Sequence, residues 1–386
     1  MEGNVQKKIA ILAMSMGSGG AEKVISLLTP KLMRNNKVIL VLFYNNFHFE
    51  LPEDLEVVIL SSKKSLSILE KIFLFPVFIW KYWNLIRRKK IEVSVSFLTR
   101  PNFLNGTMKF MYGKRLRVIM SERNYPSIEY NSSRYRYYLY KVLIPLLYNK
   151  ADVLFSNSLW INKDLKENFN INARMSVIYN PILLPEVTKK ETNYLDLEML
   201  QIVSVGRLIP TKNQSMLIKS MKRIDDLELF VNFLGDGQER ENLYSLGKRL
   251  GLQNRIKFWG NVGDVYNKIL EFDVFVMTSN SEGFPNALIE AMAVGLPVIS
   301  TNCLSGPLEI LNENSQVEIE PGKYFLAKYG ILVNVNDDEG LARALTYLFS
   351  HQSVLKMYSL KSIERSNCYS INKIFDNFVK LLEYEN

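Results

Sequence analysis

Two glutamates, Glu282 and Glu290, stand with seven residues between them in the otherwise apolar run DVFVMTSNSEGFPNALIEAMAVGLPVIST (273–301). A carboxylate accepts hydrogen bonds from hydroxyls. The N–H groups at the start of a helix offer a positive dipole end to an anion. Glu282 is expected in a loop before a helix, Glu290 on that helix, and the free N–H groups near Asn286, Ala287 and Leu288 between them. That arrangement suits a sugar and a ribose joined through phosphate. A second stretch, SVGRLIPTKN, supplies Arg207, which grips a phosphate with paired donors, and Lys212, which adds a point charge. A third, GSGGAEK, brings Gly19 and Gly20 to a turn that lets backbone approach a phosphate or sugar closely, without the full spacing of a dinucleotide fingerprint. The plainer alternatives are a solvated helix charge at Glu290, a loop charge at Glu282, an exposed loop pair at Arg207 and Lys212, and a simple tight turn at the glycines.

The elements that must hold these residues follow from periodicity. DVFVMTS is β-branched and aromatic, ALIEAMAV is helical, and PVIST resumes as a strand, which makes a right-handed βαβ unit. Pro285 suits the first helical turn and Gly295 a left-handed cap. The loop carrying Glu282 then lies at the carboxyl end of a strand, where open α/β sheets bind ligands. The first half repeats the alternation, with strands at KKIAILAM, KVILVLFY, LEVVIL, IEVSVSFL, LRVIMS and ADVLFSNS; after the polar stretch NPILLPEVTKKETNYLDLE it restarts with LQIVSVG, LELFVNFLG and RIKFWG. The reading is an α/β protein of two Rossmann-like doubly wound domains facing across a cleft. The expected division is 1–184, 185–365 and a C-terminal helix in 366–386 that packs back on the first domain. GDG in FLGDGQERENL and the end of FWGNV shape the cleft rather than react.

Composition narrows the chemistry. Two cysteines, Cys303 and Cys368, and two histidines, His48 and His351, support neither a disulfide framework, nor a zinc site, nor a Ser/His/Asp triad. A reducing compartment is expected. The pairs Asp225–Asp226 and Asp337–Asp338 read as solvated turn residues, so no metal is expected. KKIAILAMSMG reads as a first strand rather than a signal peptide, and no run is long enough to span a bilayer.

In order and spacing, GGAE, GRL with a following Lys, GDG, F-x-G and above all EGFPNALIEAMAVGLPVIST resemble the retaining nucleotide-sugar glycosyltransferases of the GT-B fold. That group includes phosphatidylinositol mannosyltransferases, sucrose synthases and bacterial polysaccharide transferases. The resemblance covers most of the chain, and the Glu, seven residues, Glu pattern is its specific part. It implies that Glu290 holds the ribose hydroxyls and Glu282 the donor-sugar hydroxyls. Backbone at Gly283, Phe284, Pro285, Asn286, Ala287 and Leu288 would contact sugar and diphosphate, Arg207 and Lys212 the diphosphate, and Val262 would back the nucleobase. Glu282, Arg207 and Lys212 are thereby the catalytic candidates, with no cofactor. Retention is explained in the family by same-face attack, the leaving phosphate taking the acceptor proton. Where some relatives carry a histidine, this chain has MSERNYP, so Glu122, Arg123 and Asn124 are the acceptor candidates, with an internal ion pair as the alternative.

Charge and aromatic residues describe the acceptor. Residues 1–186 carry 27 Lys+Arg against 14 Asp+Glu, a net of +13, and residues 187–386 carry 21 against 25, a net of −4. Within 63–90, Trp80 and Trp83 stand beside Arg87, Arg88, Lys89 and Lys90, which suits an anionic membrane interface; RYRYYLYK (134–141) has the same character. A buried helix with a charged tail is the alternative. The expectation is a hexosyl or N-acetylhexosaminyl transferase, using a UDP-sugar to extend a lipid-linked or envelope glycan, cytoplasmic and peripheral on the inner face of the membrane. The competing readings are a nucleotide-sugar epimerase of the same architecture and a non-catalytic membrane or nucleic-acid binding protein, although no nucleic-acid recognition signature is present.

Overall fold

The structure is a computed structural model that describes residues 6–383 apart from 65–66, 131–133, 190–193, 195–196 and 225. It divides into two compact units, Met1–Pro181 with Ile371–Asn386 and Ile182–Ser370. Both boundaries fall a few residues from those read in the sequence. The physical reason is that Ile182 pairs with Ser370 and its N–H donates to the Tyr369 carbonyl, so the two crossings of the chain lie side by side.

The first unit contains β1 (Lys8–Ala13), β2 (Lys37–Tyr44), β3 (Glu56–Ser61), β4 (Val93–Phe97), β5 (Arg117–Glu122), β6 (Val153–Ser156) and β7 (Met175–Val177) in the order β3-β2-β1-β4-β5-β6-β7. Every pairing is parallel. Strands such as KVILVLFY are apolar on both faces because both are covered. The helices Phe75–Lys89, Thr99–Tyr112, Arg134–Tyr148 and Leu159–Phe169 bury Tyr82, Leu104, Ile144 and Leu165 on one face. Gly20–Met33 and Ile371–Leu382 bury Val24, Leu28, Ile374 and Phe378 on the other.

The second unit contains β8 (Met199–Val205), β9 (Glu228–Leu234), β10 (Ile256–Gly260), β11 (Val274–Met277), β12 (Val298–Thr301), β13 (Tyr324–Ala327) and β14 (Gly330–Val333), ordered β10-β9-β8-β11-β12-β14-β13. Among these strand pairs only the edge pair β13/β14 is antiparallel, and an isolated antiparallel bridge joins Gly235 to Gly260. The sequence reading missed β7 and this hairpin, which are short and lie at sheet edges. In each sheet the strand order reverses once, between β1 and β4 and between β8 and β11, and loops leaving such a switch point diverge to leave a crevice.

Candidate functional site

The crevice of the second unit is built from the loops that follow β8 and β11, and backbone joins them. Asn280 N–H donates to the Thr211 carbonyl at 2.8 Å, and Thr278 Oγ1 to the Lys212 carbonyl at 3.0 Å. The loop after β9 is pressed on the same structure: a Cβ at Gly235 would collide with the Gly206 carbonyl, which explains the glycine of GDG as a packing requirement. From the other side the loop after β12 closes in, with Ser305 Oγ donating to the Gly283 carbonyl at 2.6 Å. The helix Asn286–Ala293 starts one residue later than expected, with Pro285 as its N-cap and no side chain capping it. Gly295 beyond its end has φ +84°, as a left-handed cap requires.

These loops bring Glu282 and Lys212 together. Lys212 Nζ donates to Glu282 Oε1 at 2.5 Å, and Ser279 Oγ donates to the same oxygen at 2.5 Å. The sequence assigns the two residues to separate parts of a ligand, whereas the structure pairs them with each other. Both bonds fall on Oε1, so the lone pairs of Oε2 and the remaining N–H groups of Lys212 are the groups left to meet a ligand. Ser279 escaped sequence reasoning; its place three residues before Glu282 was the available signal. Glu290 is buried, which removes the reading of an exposed helix charge. Tyr266 faces it, and burial, with the Glu290 charge added, pushes the Tyr266 phenol above its ordinary value. Arg207 is exposed directly after β8, and Val262 is half-buried after β10. Cys303 lies close to Glu282, and burial first, then that charge, pushes its thiol up to about 12, so it is no nucleophile. Asp337 caps the helix Asp338–Ser350 by accepting from Gly340 N–H, and Asp338 pairs with Arg223, so this pair is not merely solvated. Asp226 is exposed, while Asp225 lies outside the described residues.

The carboxyl ends of the first unit's strands carry the other predicted residues. Gly19 and Gly20 follow β1 at the start of the helix Gly20–Met33. Glu122, the last residue of β5, is fully buried and accepts from Tyr148 Oη at 2.6 Å, Thr99 Oγ1 at 3.2 Å, and the N–H groups of Arg123 and Asn124 at 3.0 and 3.3 Å. Burial raises its carboxyl above the ordinary value despite these donors. Glu122 is therefore an internal anchor rather than a group open to an acceptor. Arg123 is buried with its guanidinium over Phe97 and Phe155, and burial lowers it to about 9. Its Nη1 donates to Asn180 Oδ1 at 3.0 Å, while Nε and Nη2, the side-on fork, have no hydrogen-bond partner. Asn124 is half-buried.

Comparison with known proteins agrees with this architecture. Residues 18–184 match the family Glycosyltransferase Family 4, and residues 188–365 match Glycosyl transferases group 1. The chain is 31% identical over 97% of its length, and 99% of the relative's, to N-acetylgalactosamine-N,N'-diacetylbacillosaminyl-diphospho-undecaprenol 4-alpha-N-acetylgalactosaminyltransferase of Campylobacter jejuni. It belongs to the group 1 glycosyltransferases. A second C. jejuni relative, GalNAc-alpha-(1->4)-GalNAc-alpha-(1->3)-diNAcBac-PP-undecaprenol alpha-1,4-N-acetyl-D-galactosaminyltransferase, is 23% identical over 97% of this chain and 98% of its own. The crystal structure of Anabaena Alr3699/HepE in complex with UDP superposes with TM-score 0.73 at 18% identity, covering 97% of this chain and 99% of that one. That likeness gives this glycosyltransferase the GT-B fold.

The membrane candidates of the glycosyltransferase separate on inspection. Trp80 is exposed, but Trp83 is half-buried against the core, with the Arg87 guanidinium 5.4 Å from its ring centre. Trp83 is thus a packing residue, which corrects its reading as an anchor. Lys89 is tied to Glu56 at 2.6 Å, while Arg88 and Lys90 are exposed. Among the described residues no helix is long and apolar enough to cross a membrane, and no cluster of His, Cys, Asp and Glu is placed to hold a metal ion.

Proposed function

We propose that this glycosyltransferase moves a hexosyl or N-acetylhexosaminyl group from a UDP-sugar, with retention of configuration, to a lipid-linked glycan at an anionic membrane surface. The observation that carries the reading is the pairing of Lys212 with Glu282 at the switch point of the second sheet, beside the helix that buries Glu290. In that site Glu290 meets the ribose hydroxyls and Glu282 Oε2 a sugar hydroxyl. The Leu288 N–H donates to the Pro285 carbonyl, so the spare donors of Lys212, with Arg207 and the positive end of the helix Asn286–Ala293, are the groups that meet the diphosphate. Breaking the glycosyl phosphate bond puts negative charge on the departing diphosphate, and fixed donors aimed there lower the barrier. The leaving phosphate takes the acceptor proton on the same face, and no divalent ion is required. The partner is read from relatives: two are named for undecaprenol-linked glycans, and one neighbour holds UDP. Nε and Nη2 of Arg123, buried and without a partner in the protein, together match two oxygens, which suits an acceptor phosphate that reaches them.

The test is a thermal-stability screen of nucleotide sugars followed by transfer to a diphospho-undecaprenol-linked amino sugar, with the anomeric configuration of the product read by NMR. The expected result is stabilisation by a UDP-sugar, activity in the presence of chelator, an α product from an α donor, and weaker donor binding by Glu290→Gln. No stabilisation by any nucleotide sugar, or an inverted product, sinks the reading.

A further inference from the structure

The helices Phe75–Lys89, Thr99–Tyr112 and Arg134–Tyr148 pack side by side, the middle one touching both others, on one face of the first unit's sheet. They hold four, two and three Lys or Arg and no Asp or Glu, in a chain with 39 acidic residues. Their outer sides are also apolar. Phe73, just before the first helix, is 75% exposed, Trp80 63%, Phe110 78%, Val142 64% and Leu146 58%. Val77 and Trp80 follow Phe73 at helical spacing, and Tyr138, Val142 and Leu146 form a stripe four residues apart. The core sides of the same helices carry Tyr82, Met108, Ile144 and Tyr148, so the outer residues are surplus to packing. Acids return at the margins of the layer, with Glu70 on the helix Ile68–Phe73, Glu129 before the third helix and Glu167 on Leu159–Phe169. The opposite face contrasts with it. Among the described residues Gly20–Met33 and Ile371–Leu382 expose no large apolar side chain, and both contain acids.

We propose that these three helices together form one flat contact with an anionic lipid bilayer, so that the stripe on Arg134–Tyr148 and the tip at Phe110 and Met111 enter the headgroup region alongside Phe73, Val77 and Trp80. This rests on the membrane reading above and extends it from one segment to a layer. Charge complementarity selects the occupant. Glu56 and Asp152 pair with Lys89 and Lys109, and Glu70 beside Phe73 pairs with Lys63, which leaves the exposed Arg87, Arg88, Lys114, Arg115, Arg134, Arg136 and Lys141 as an excess of cations attracted to anionic headgroups. The aromatic and aliphatic tips add a part that salt does not screen. Each of the three helices lies in an α/β crossover whose strands end at the carboxyl edge of the sheet, where Arg123 sits, so a bilayer along this layer also lies beside that edge.

The experiment measures partition of the full chain into vesicles of phosphatidylcholine mixed with an equal amount of phosphatidylglycerol, against phosphatidylcholine alone. The paired substitution Val142→Glu with Leu146→Glu should lower partition by about tenfold, as should Val77→Glu with Trp80→Glu, while Met357→Glu with Leu360→Glu in the second unit should leave it unchanged. In a Cys368→Ser background, an environment-sensitive dye on Val142→Cys should shift to the blue when anionic vesicles are added. If the first pair binds like wild type while the second pair does not, the three-helix contact is wrong and the single-segment membrane reading survives. If wild type ignores both vesicles, or binds single-stranded RNA instead, the membrane reading falls and this inference with it. Should the Val142 and Leu146 pair lower the melting temperature, the dye decides: no blue shift overturns the inference.

Discussion

Glu122 and Glu282 both belong to the carboxyl edge of a sheet, the two sheets sharing the order of five strands (β3-β2-β1-β4-β5 and β10-β9-β8-β11-β12), and they are held in opposite ways. Glu122 closes a strand, so neighbours on the sheet and the helices above surround it; both oxygens are taken by four donors of its own unit. Glu282 lies off the strand in a loop, and its two side-chain bonds share one oxygen. A carboxylate at a strand end is therefore spent on the fold, while one a few residues beyond keeps an oxygen for chemistry. The outer helices repeat the contrast. Three of the first unit, Phe75–Lys89, Thr99–Tyr112 and Arg134–Tyr148, carry only positive charge around apolar tips, whereas helices of the second, such as Arg240–Arg249 and Asp338–Ser350, carry both signs.

The sharpest way to break the comparison is to remove the loop pair. Lys212→Ala should cut turnover by about 10²–10³-fold if Lys212 meets the departing diphosphate. Glu282→Gln should depress turnover more than donor binding. Because the two touch, their double variant should depart from additivity by about 0.5–3 kcal/mol. Steady-state kinetics on the four proteins give the cycle; full activity in both single variants dissolves the assignment.

Next comes the buried partner. Glu122→Ala should destabilise the protein by about 1–3 kcal/mol, since Tyr148 and the two backbone donors lose their acceptor in a buried place. Its pH dependence has a definite sign. The folded-state value is raised above the ordinary 4.5, so in the interval above 4.5 the folded protein holds the extra proton and stability falls as pH rises through it. Glu122→Gln stays neutral and should flatten that part of the decline. Melting curves from weak acid to neutrality check this, and an unchanged pH slope in Glu122→Gln argues against the burial account.

The smallest expected effect divides the two tryptophans. Trp83→Ala should lower the melting temperature, because it removes core packing and the surface under Arg87, whereas Trp80→Ala should leave stability within about 0.5 kcal/mol of wild type and weaken vesicle binding. Equal stability losses would mean that Trp80 also belongs to the core.

Much of this was legible in sequence because it is local. The apolar runs of KVILVLFY and LELFVNFLG place central strands, and DVFVMTSNSEGFPNALIEAMAVGLPVIST spells strand, loop, helix and strand with its glutamates in order. Edge elements were less legible: β7 has three residues and β13 only four, too few for a period to emerge.

By itself the sequence determined the succession of strands and helices, the GT-B resemblance, and the excess of positive charge in the first half, since each depends on residues near one another in the chain. Only the tertiary structure decided partners. Lys212 and Glu282 are 70 residues apart, and meet because β8 and β11 are neighbours at the switch point. Glu122 was an acceptor candidate until Thr99 and Tyr148, from two different crossovers, were found around it. Trp80 and Trp83, three residues apart, are alike in composition and context, and the rotation of one helix over the sheet sent one to the surface and turned the other toward the core.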